Sequence, residues 1–179
     1  MKKAVREILI TSIYILGALL VSFLVVRYIG VRTEVHGGSM NDTLQDGEML
    51  IVDKISYRFA HPERFDIVVF PYRHGRDIHY IKRVIGLPGE TVYIDNEGNI
   101  YINESLLIES YGREIIRDPG RAGTPITLGA DEYFVMGDNR NSSSDSRETS
   151  VGNVKRSELV GKAWVRIWPF SRLGFVEHQ

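Results

Sequence analysis

Residues Ile8 to Val26 read ILITSIYILGALLVSFLVV and carry no charge. The run is close to the ~20 apolar residues that cross a bilayer as a helix. Lys2, Lys3 and Arg6 precede it, and positive charge on the short side of a span predicts that this side stays in the cytoplasm. Two other readings compete. A cleavable export signal has an apolar region of ~7–15 residues and a small-residue exit, whereas this run is longer and leaves through Arg27, Tyr28 and Ile29. A core helix of a soluble domain keeps a polar face, which this run lacks. The sequence therefore predicts a cytoplasmic N-terminus over 1–7, a transmembrane helix over 8–29, and an extracytoplasmic domain over 30–179, held at a cell membrane.

Past the span the pattern breaks into short runs rich in Val, Ile, Tyr and Phe, the composition of strands. These are Glu48–Ile55, Asp66–Phe70, Ile78–Gly86, Thr91–Asp95, Ile100–Asn103, Glu132–Met136 and Val160–Trp168. Pro88-Gly89 separates two of them, and Asn96-Glu97-Gly98-Asn99 reads as a hairpin loop. No long amphipathic helical pattern follows the span. The expected fold is mainly β, a coiled antiparallel β-sheet or barrel-like domain with one N-terminal transmembrane helix. Residues 110–129, with Asp118-Pro119-Gly120 and Gly123-Thr124-Pro125, read as an insertion or small subdomain.

Composition narrows the chemistry. With no cysteine there is no disulfide, thiolate metal site or cysteine nucleophile. A net charge of −1 gives no footprint for nucleic acid.

Gly37-Gly38-Ser39-Met40 places two conformationally free residues before a serine. Such a turn suits an exposed nucleophile whose own amide helps hold an oxyanion, and equally an ordinary Gly-Gly turn. A serine hydroxyl is weak without a base. The histidines are His36, His61, His74, His79 and His178. His36 and His79 are the two that could be drawn into a Ser-His-Asp arrangement, but neither sits in a distinctive motif. Lys82 lies in the strand-like run Tyr80-Ile81-Lys82-Arg83-Val84-Ile85. Alternation puts Lys82 on one face and Arg83 on the other, with apolar neighbours on both, so one of the two basic residues is expected to be partly buried. Burial lowers a lysine pKa and lets the amine act as a base, whereas arginine cannot deprotonate. Periodicity alone does not choose between them. Gly137 to Arg147, GDNRNSSSDSR, follows an apolar strand and carries enough donors and acceptors for an ordered loop.

Together these segments resemble the bacterial type I signal peptidases. Ser39-Met40-Asn41-Asp42-Thr43-Leu44 is similar to that family's Ser-Met-x-Pro-Thr-Leu box, and Arg64-Phe65-Asp66-Ile67-Val68-Val69-Phe70 to its Arg-Gly-Asp-Ile-Val-Val-Phe strand. Tyr80 to Glu90 is similar to the box that holds a general-base lysine, and Gly137 to Arg147 to the Gly-Asp-Asn-Arg…Ser-x-Asp-Ser-Arg box. The resemblance implies Ser39 as nucleophile and Lys82 as general base. Ser143 would orient the amine, and Asp145 and Arg147 would support that loop. Met40 would pack beside the nucleophile at the substrate pocket, the Ser39 amide would be an oxyanion donor, and Asp138 and Arg140 would be structural. It also implies cleavage of signal peptides from exported precursors after Ala-x-Ala, beside the lipid bilayer, with no metal or cofactor and no nucleic-acid partner. Three positions depart from the pattern. Asp42 replaces a proline, Phe65 replaces a glycine, and Gly37 stands where some members have a serine hydroxyl. A specialised or non-catalytic relative assisting pilus or surface-protein assembly is the alternative, and retention of Ser39 and Lys82 counts against its non-catalytic form.

Overall fold

A computed structural model describes residues 2–28, 30–73, 78–112 and 114–178. His74 and Ile29, the last residue of the expected span, lie outside the described residues. Helix α1 spans Lys2–Tyr28. Over residues 5–23 every position is exposed, with no other part of the fold burying its apolar side chains. A helix apolar on all sides is stable only in an apolar surrounding, so length, composition and exposure agree.

The remainder is mainly β, as expected. Its strands are β1 (Gly30–Glu34), β2 (Met49–Asp53), β3 (Ile67–Pro71), β4 (His79–Gly86), β5 (Thr91–Ile94), β6 (Ile100–Ile102), β7 (Ser105–Leu106), β8 (Ile126–Thr127), β9 (Glu132–Met136), β10 (Val154–Lys155), β11 (Gly161–Trp168) and β12 (Gly174–Phe175). One sheet runs β1-β2-β11-β3-β4-β9-β10, with β12 added on β11. A second, smaller sheet runs β7-β6-β5-β8. Every pairing between described strands is antiparallel.

All seven predicted strands are present, with ends shifted by at most two residues. The sequence reading missed β1 and the two-residue strands. β1, GVRTE, has only one strongly apolar residue, and two-residue strands have no periodicity to detect. Residues 114–129 are woven into the fold. Ile116, Ala122 and Leu128 are buried in the core of the second sheet, and β8 pairs with β5.

Strand β4 is apolar enough to be buried on both faces, and Ile81 to Gly86 are all inside. Both Lys82 and Arg83 are therefore buried, at 3% and 0% exposure, rather than one of them. Arg83 is compensated. Its Nε donates to Asp138 Oδ1 at 2.9 Å and a terminal nitrogen to Oδ2 at 2.7 Å, and the carboxylate also accepts from Thr43 Oγ1 at 2.6 Å. The other terminal nitrogen donates to the carbonyls of Phe65 and His178, each at 3.0 Å. The guanidinium lies 3.6 Å from the Tyr111 ring centre, a cation–π contact.

His178 closes this assembly. The Ile67 amide donates to its Nδ1 at 3.0 Å, so Nε2 carries the proton and donates to the Ala163 carbonyl at 2.8 Å. Burial pushes its pKa down to about 4, which keeps this neutral tautomer.

Arg83→Ala leaves Asp138 charged and unpaired where no water reaches. Loss of one partner of such a pair costs about 3–5 kcal/mol, and urea unfolding in detergent followed by tryptophan fluorescence should show a drop of that size.

Candidate active site

Residues 38–44 form a compact turn that places Ser39 beside Lys82 of β4. The Asn41 amide donates to Gly38 O at 3.1 Å and the Leu44 amide to Met40 O at 2.8 Å. Gly37 adopts φ +83°, a conformation that side-chain-bearing residues rarely reach. Its amide donates to Asp46 Oδ1 at 2.7 Å. Met40 is 1% exposed and packs into the core with Leu44, Leu50 and Ile67, anchoring the turn beneath the serine. Asp42 is exposed and follows a cis peptide bond.

The loop after β9 holds this turn from the other side. The Asn139 amide donates to Ser39 O at 3.0 Å, and its side-chain amide donates to Gly38 O at 3.0 Å. Both carbonyls of the turn are thereby taken from the loop side, while the Ser39 amide makes no backbone hydrogen bond among the described residues. Gly137 permits this closeness. A Cβ there would lie 2.4 Å from Ser39 O and 2.3 Å from Ser143 Oγ. Asn139 was not singled out from the sequence, although its box was. Its type and place in an Asn-rich loop gave no sign that its partners lay in the serine turn.

Lys82 Nζ and Ser39 Oγ are 2.7 Å apart, and Nζ also donates to the Ile81 carbonyl at 3.1 Å. Burial lowers the Lys82 pKa to about 8, against the pull of the Asp145 and Asp138 carboxylates, which favour the charged amine. Among the described residues no histidine lies in that position. His36 and His79 are exposed at the rim of the cleft, His61 is exposed elsewhere, and His178 is committed to the core.

Asp145 and Arg147 form a buried pair, with Arg147 Nε 2.9 Å from Oδ1 and a terminal nitrogen 2.8 Å from Oδ2. Asp145 also accepts the Gly137 amide at 3.1 Å. Ser143 Oγ is buried without a hydrogen-bond partner among the described residues. Arg140 is nearly buried, donates from Nε to Gly137 O at 3.0 Å, and pairs with Glu109.

A cleft of about 290 Å³ opens over Ser39 and Lys82. Val35, Met40, Tyr80 and Ile81 line it, with Ser142 and Ser144 at one side. Among the described residues no cluster of His, Cys, Asp and Glu could hold a metal ion. The arrangement can move a proton from a hydroxyl to an amine beside a free backbone N–H, the minimum needed for attack on a carbonyl.

A profile of the signal peptidase, peptidase S26 family matches residues 6–168. The chain belongs to that family and is a peptidase of its bacterial type I branch. It is 42% identical over 163 residues to a probable signal peptidase I-2 of Synechocystis sp., covering 85% of this chain and 72% of the relative. It is 41% identical over 152 residues to a signal peptidase I of Bacillus caldolyticus, covering 79% and 81%. It is 33% identical over 181 residues to a signal peptidase IB of Staphylococcus aureus, covering 93% and 92%. A crystal structure of a signal peptidase I from Enterococcus faecalis aligns with 34% identity and a TM-score of 0.45, covering 57% of this chain and 97% of that one.

The amine should titrate near pH 8, down from 10.5, because the charged form is the one burial disfavours. Asp145→Asn removes a carboxylate that stabilises the charged form, so it should lower the midpoint further. The ¹³Cε shift of Lys82 across a pH series reads both.

Proposed function

We propose that this chain removes signal peptides from exported precursor proteins by a Ser39/Lys82 dyad. The carrying observation is the 2.7 Å contact between a buried amine and the hydroxyl of a glycine-flanked serine. Neutral Lys82 takes the Ser39 Oγ–H proton as Oγ attacks the scissile carbonyl carbon. The oxyanion is met by the Ser39 amide. The lysine then gives its proton to the leaving amine, the C–N bond breaks, and an acyl ester remains on Ser39. Lys82 next takes a proton from water, the resulting hydroxide attacks the ester carbon, the C–Oγ bond breaks with the lysine returning its proton to Ser39 Oγ, and the acyl group leaves as a carboxylic acid that ionises in solvent. With a pKa of about 8, roughly a tenth of the amine is neutral at pH 7, enough to act and regenerated without cost.

The supporting residues follow. Asp145 and Arg147 hold the loop that carries Ser143, the group assigned to orient the amine. Ser143 sits between Ser142 and Ser144, both of which line the cleft. Asn139 adds a positioning role by fixing the Ser39 turn. The cleft lies between residues 34–40 and 79–82, two segments that are not sheet neighbours, so an extended peptide fits between them as a strand. Its modest volume, with Val35, Met40 and Ile81 in its wall, suits alanine at the first and third positions before the cut.

Membrane placement rests on two features. α1 is one, with residues 1–7 assigned to the cytoplasm and 30–179 to the far side. The other is an aromatic surface on β11 and the segment after it, where Trp164, Trp168, Phe170, Leu173 and Phe175 are 45–74% exposed. β11 is two strands from β1, which begins two residues past α1. Large exposed aromatic groups on the strands that follow a span suit the headgroup region of a bilayer.

Ser39→Ala and Lys82→Met should each abolish cleavage of a precursor with an Ala-x-Ala site while the fold is retained. Full activity in either variant would remove the dyad assignment. The two tryptophans of the sequence both lie in the aromatic surface. In vesicles of brominated lipid the intrinsic fluorescence of the full chain should therefore be quenched, and unquenched emission would detach that surface from the membrane.

A further inference from the structure

The second sheet carries a cavity that the peptidase chemistry does not use. β5 and β6 bury Val92, Ile94, Ile100 and Ile102 on one face, so alternation puts Thr91, Tyr93, Tyr101 and Asn103 on the other. Tyr93 and Tyr101 are register partners, with ring centres 5.9 Å apart and planes inclined at 34°. Together with Thr91, Asn103, Glu104 and Pro125 they bound a cavity of about 490 Å³. None of these residues touches the cleft over Ser39.

Charge is segregated here. From Leu87 to Gly112 the chain has Glu90, Asp95, Glu97, Glu104 and Glu109, and no Lys, Arg or His. Glu90 is paired with Arg64 and Glu109 with Arg140. Asp95, Glu97 and Glu104 have no ion pair among the described residues. Asp95 and Glu97 lie in the β5–β6 turn, at one end of the tyrosine pair, and Glu104 in the β6–β7 turn at the other. The Asp95 carboxylate, held by the Glu97 and Asn99 amides at 2.9 and 2.8 Å, is close enough to raise the Tyr101 hydroxyl pKa, which places the acidic turn beside the aromatic face.

The backbone at Glu104 gives a second reason to look here. Asn103 and Glu104 connect β6 to β7 with φ of 49° and 67°. A two-residue hairpin of this hand favours Asn-Gly, and a residue with a Cβ is strained in the second place. A carboxylate is thus held, against the local backbone preference, on the wall of an aromatic cavity.

The geometry points to a second binding site, for a basic segment of extended peptide. A lysine or arginine side chain of the peptide would lie over Tyr93 and Tyr101 and meet the Glu104 carboxylate. Tyrosine faces attract cations, and the carboxylates at both ends of the pair suit basic residues spaced along a strand. The partner is a peptide of this chemistry and is distinct from the peptide in the cleft, where alanine-sized side chains are held.

The test is a titration of a fluorescein-labelled lysine hexamer with the full chain in non-ionic detergent at low salt, read by anisotropy. Saturable binding is expected, weakened about fivefold or more by Glu104→Gly and by Tyr101→Ala, with precursor cleavage unchanged. Glu104→Gly relieves its own backbone, so loss of binding in that variant is not loss of fold, and its thermal midpoint checks this. A hexamer that binds no better than a glutamate hexamer overturns the proposal. Binding that Glu104→Gly leaves unchanged overturns it too, since it would be diffuse attraction to the surface. Saturable binding of a neutral oligosaccharide in place of the lysine hexamer would reassign the cavity and overturns it equally.

Discussion

Two adjacent basic residues are buried on β4, and the structure depends on their being treated differently. Arg83 is given a carboxylate in bidentate geometry, two carbonyls and an aromatic face. Lys82 is given a hydroxyl, one carbonyl and the Tyr80 ring at 5.0 Å, with no carboxylate in contact among the described residues. An arginine cannot shed its proton, so its burial demands compensation. A lysine can, so poor compensation becomes a lowered pKa. The compensating Asp138 comes from the loop that also carries Asn139, whose amides hold the serine turn. The charge pair in the core and the position of Ser39 are therefore set by one loop.

The strands and the span were legible because each is long, strongly patterned and bounded by turn residues. The resemblance to a family was legible because four boxes occur in order. The burial of both faces of β4 was not, since alternation assumes that one face meets water, and here the central strand is covered on both. The partners of Asn139 and His178 were not legible either. Each joins residues about a hundred positions away, 101 for Asn139 and Gly38, 111 for His178 and Ile67, and no local signal encodes such a pairing.

Phe65 shows how a departure from a pattern is absorbed. It stands where the resembling family has glycine, and the backbone retains a glycine-like φ of +72°. The strain is offset by burial of the ring, which packs into the core of the second sheet and lies 5.3 Å from Tyr111. Tyr111 in turn covers Arg83 and donates its hydroxyl to the His178 carbonyl at 2.6 Å. The substitution thus extends the shell that seals the buried arginine.

That carbonyl at position 178 has a bearing on how the molecule is made. Strands β3, β4 and β11 can align, yet the amide of Ile67 and the guanidinium of Arg83 both wait for a residue synthesised 95 or more positions later. Contacts so distant along the chain slow folding, because the intervening loop must be closed before they form. A chain emerging segment by segment would hold Ser39 and Lys82 loosely until the latch at position 178 arrived.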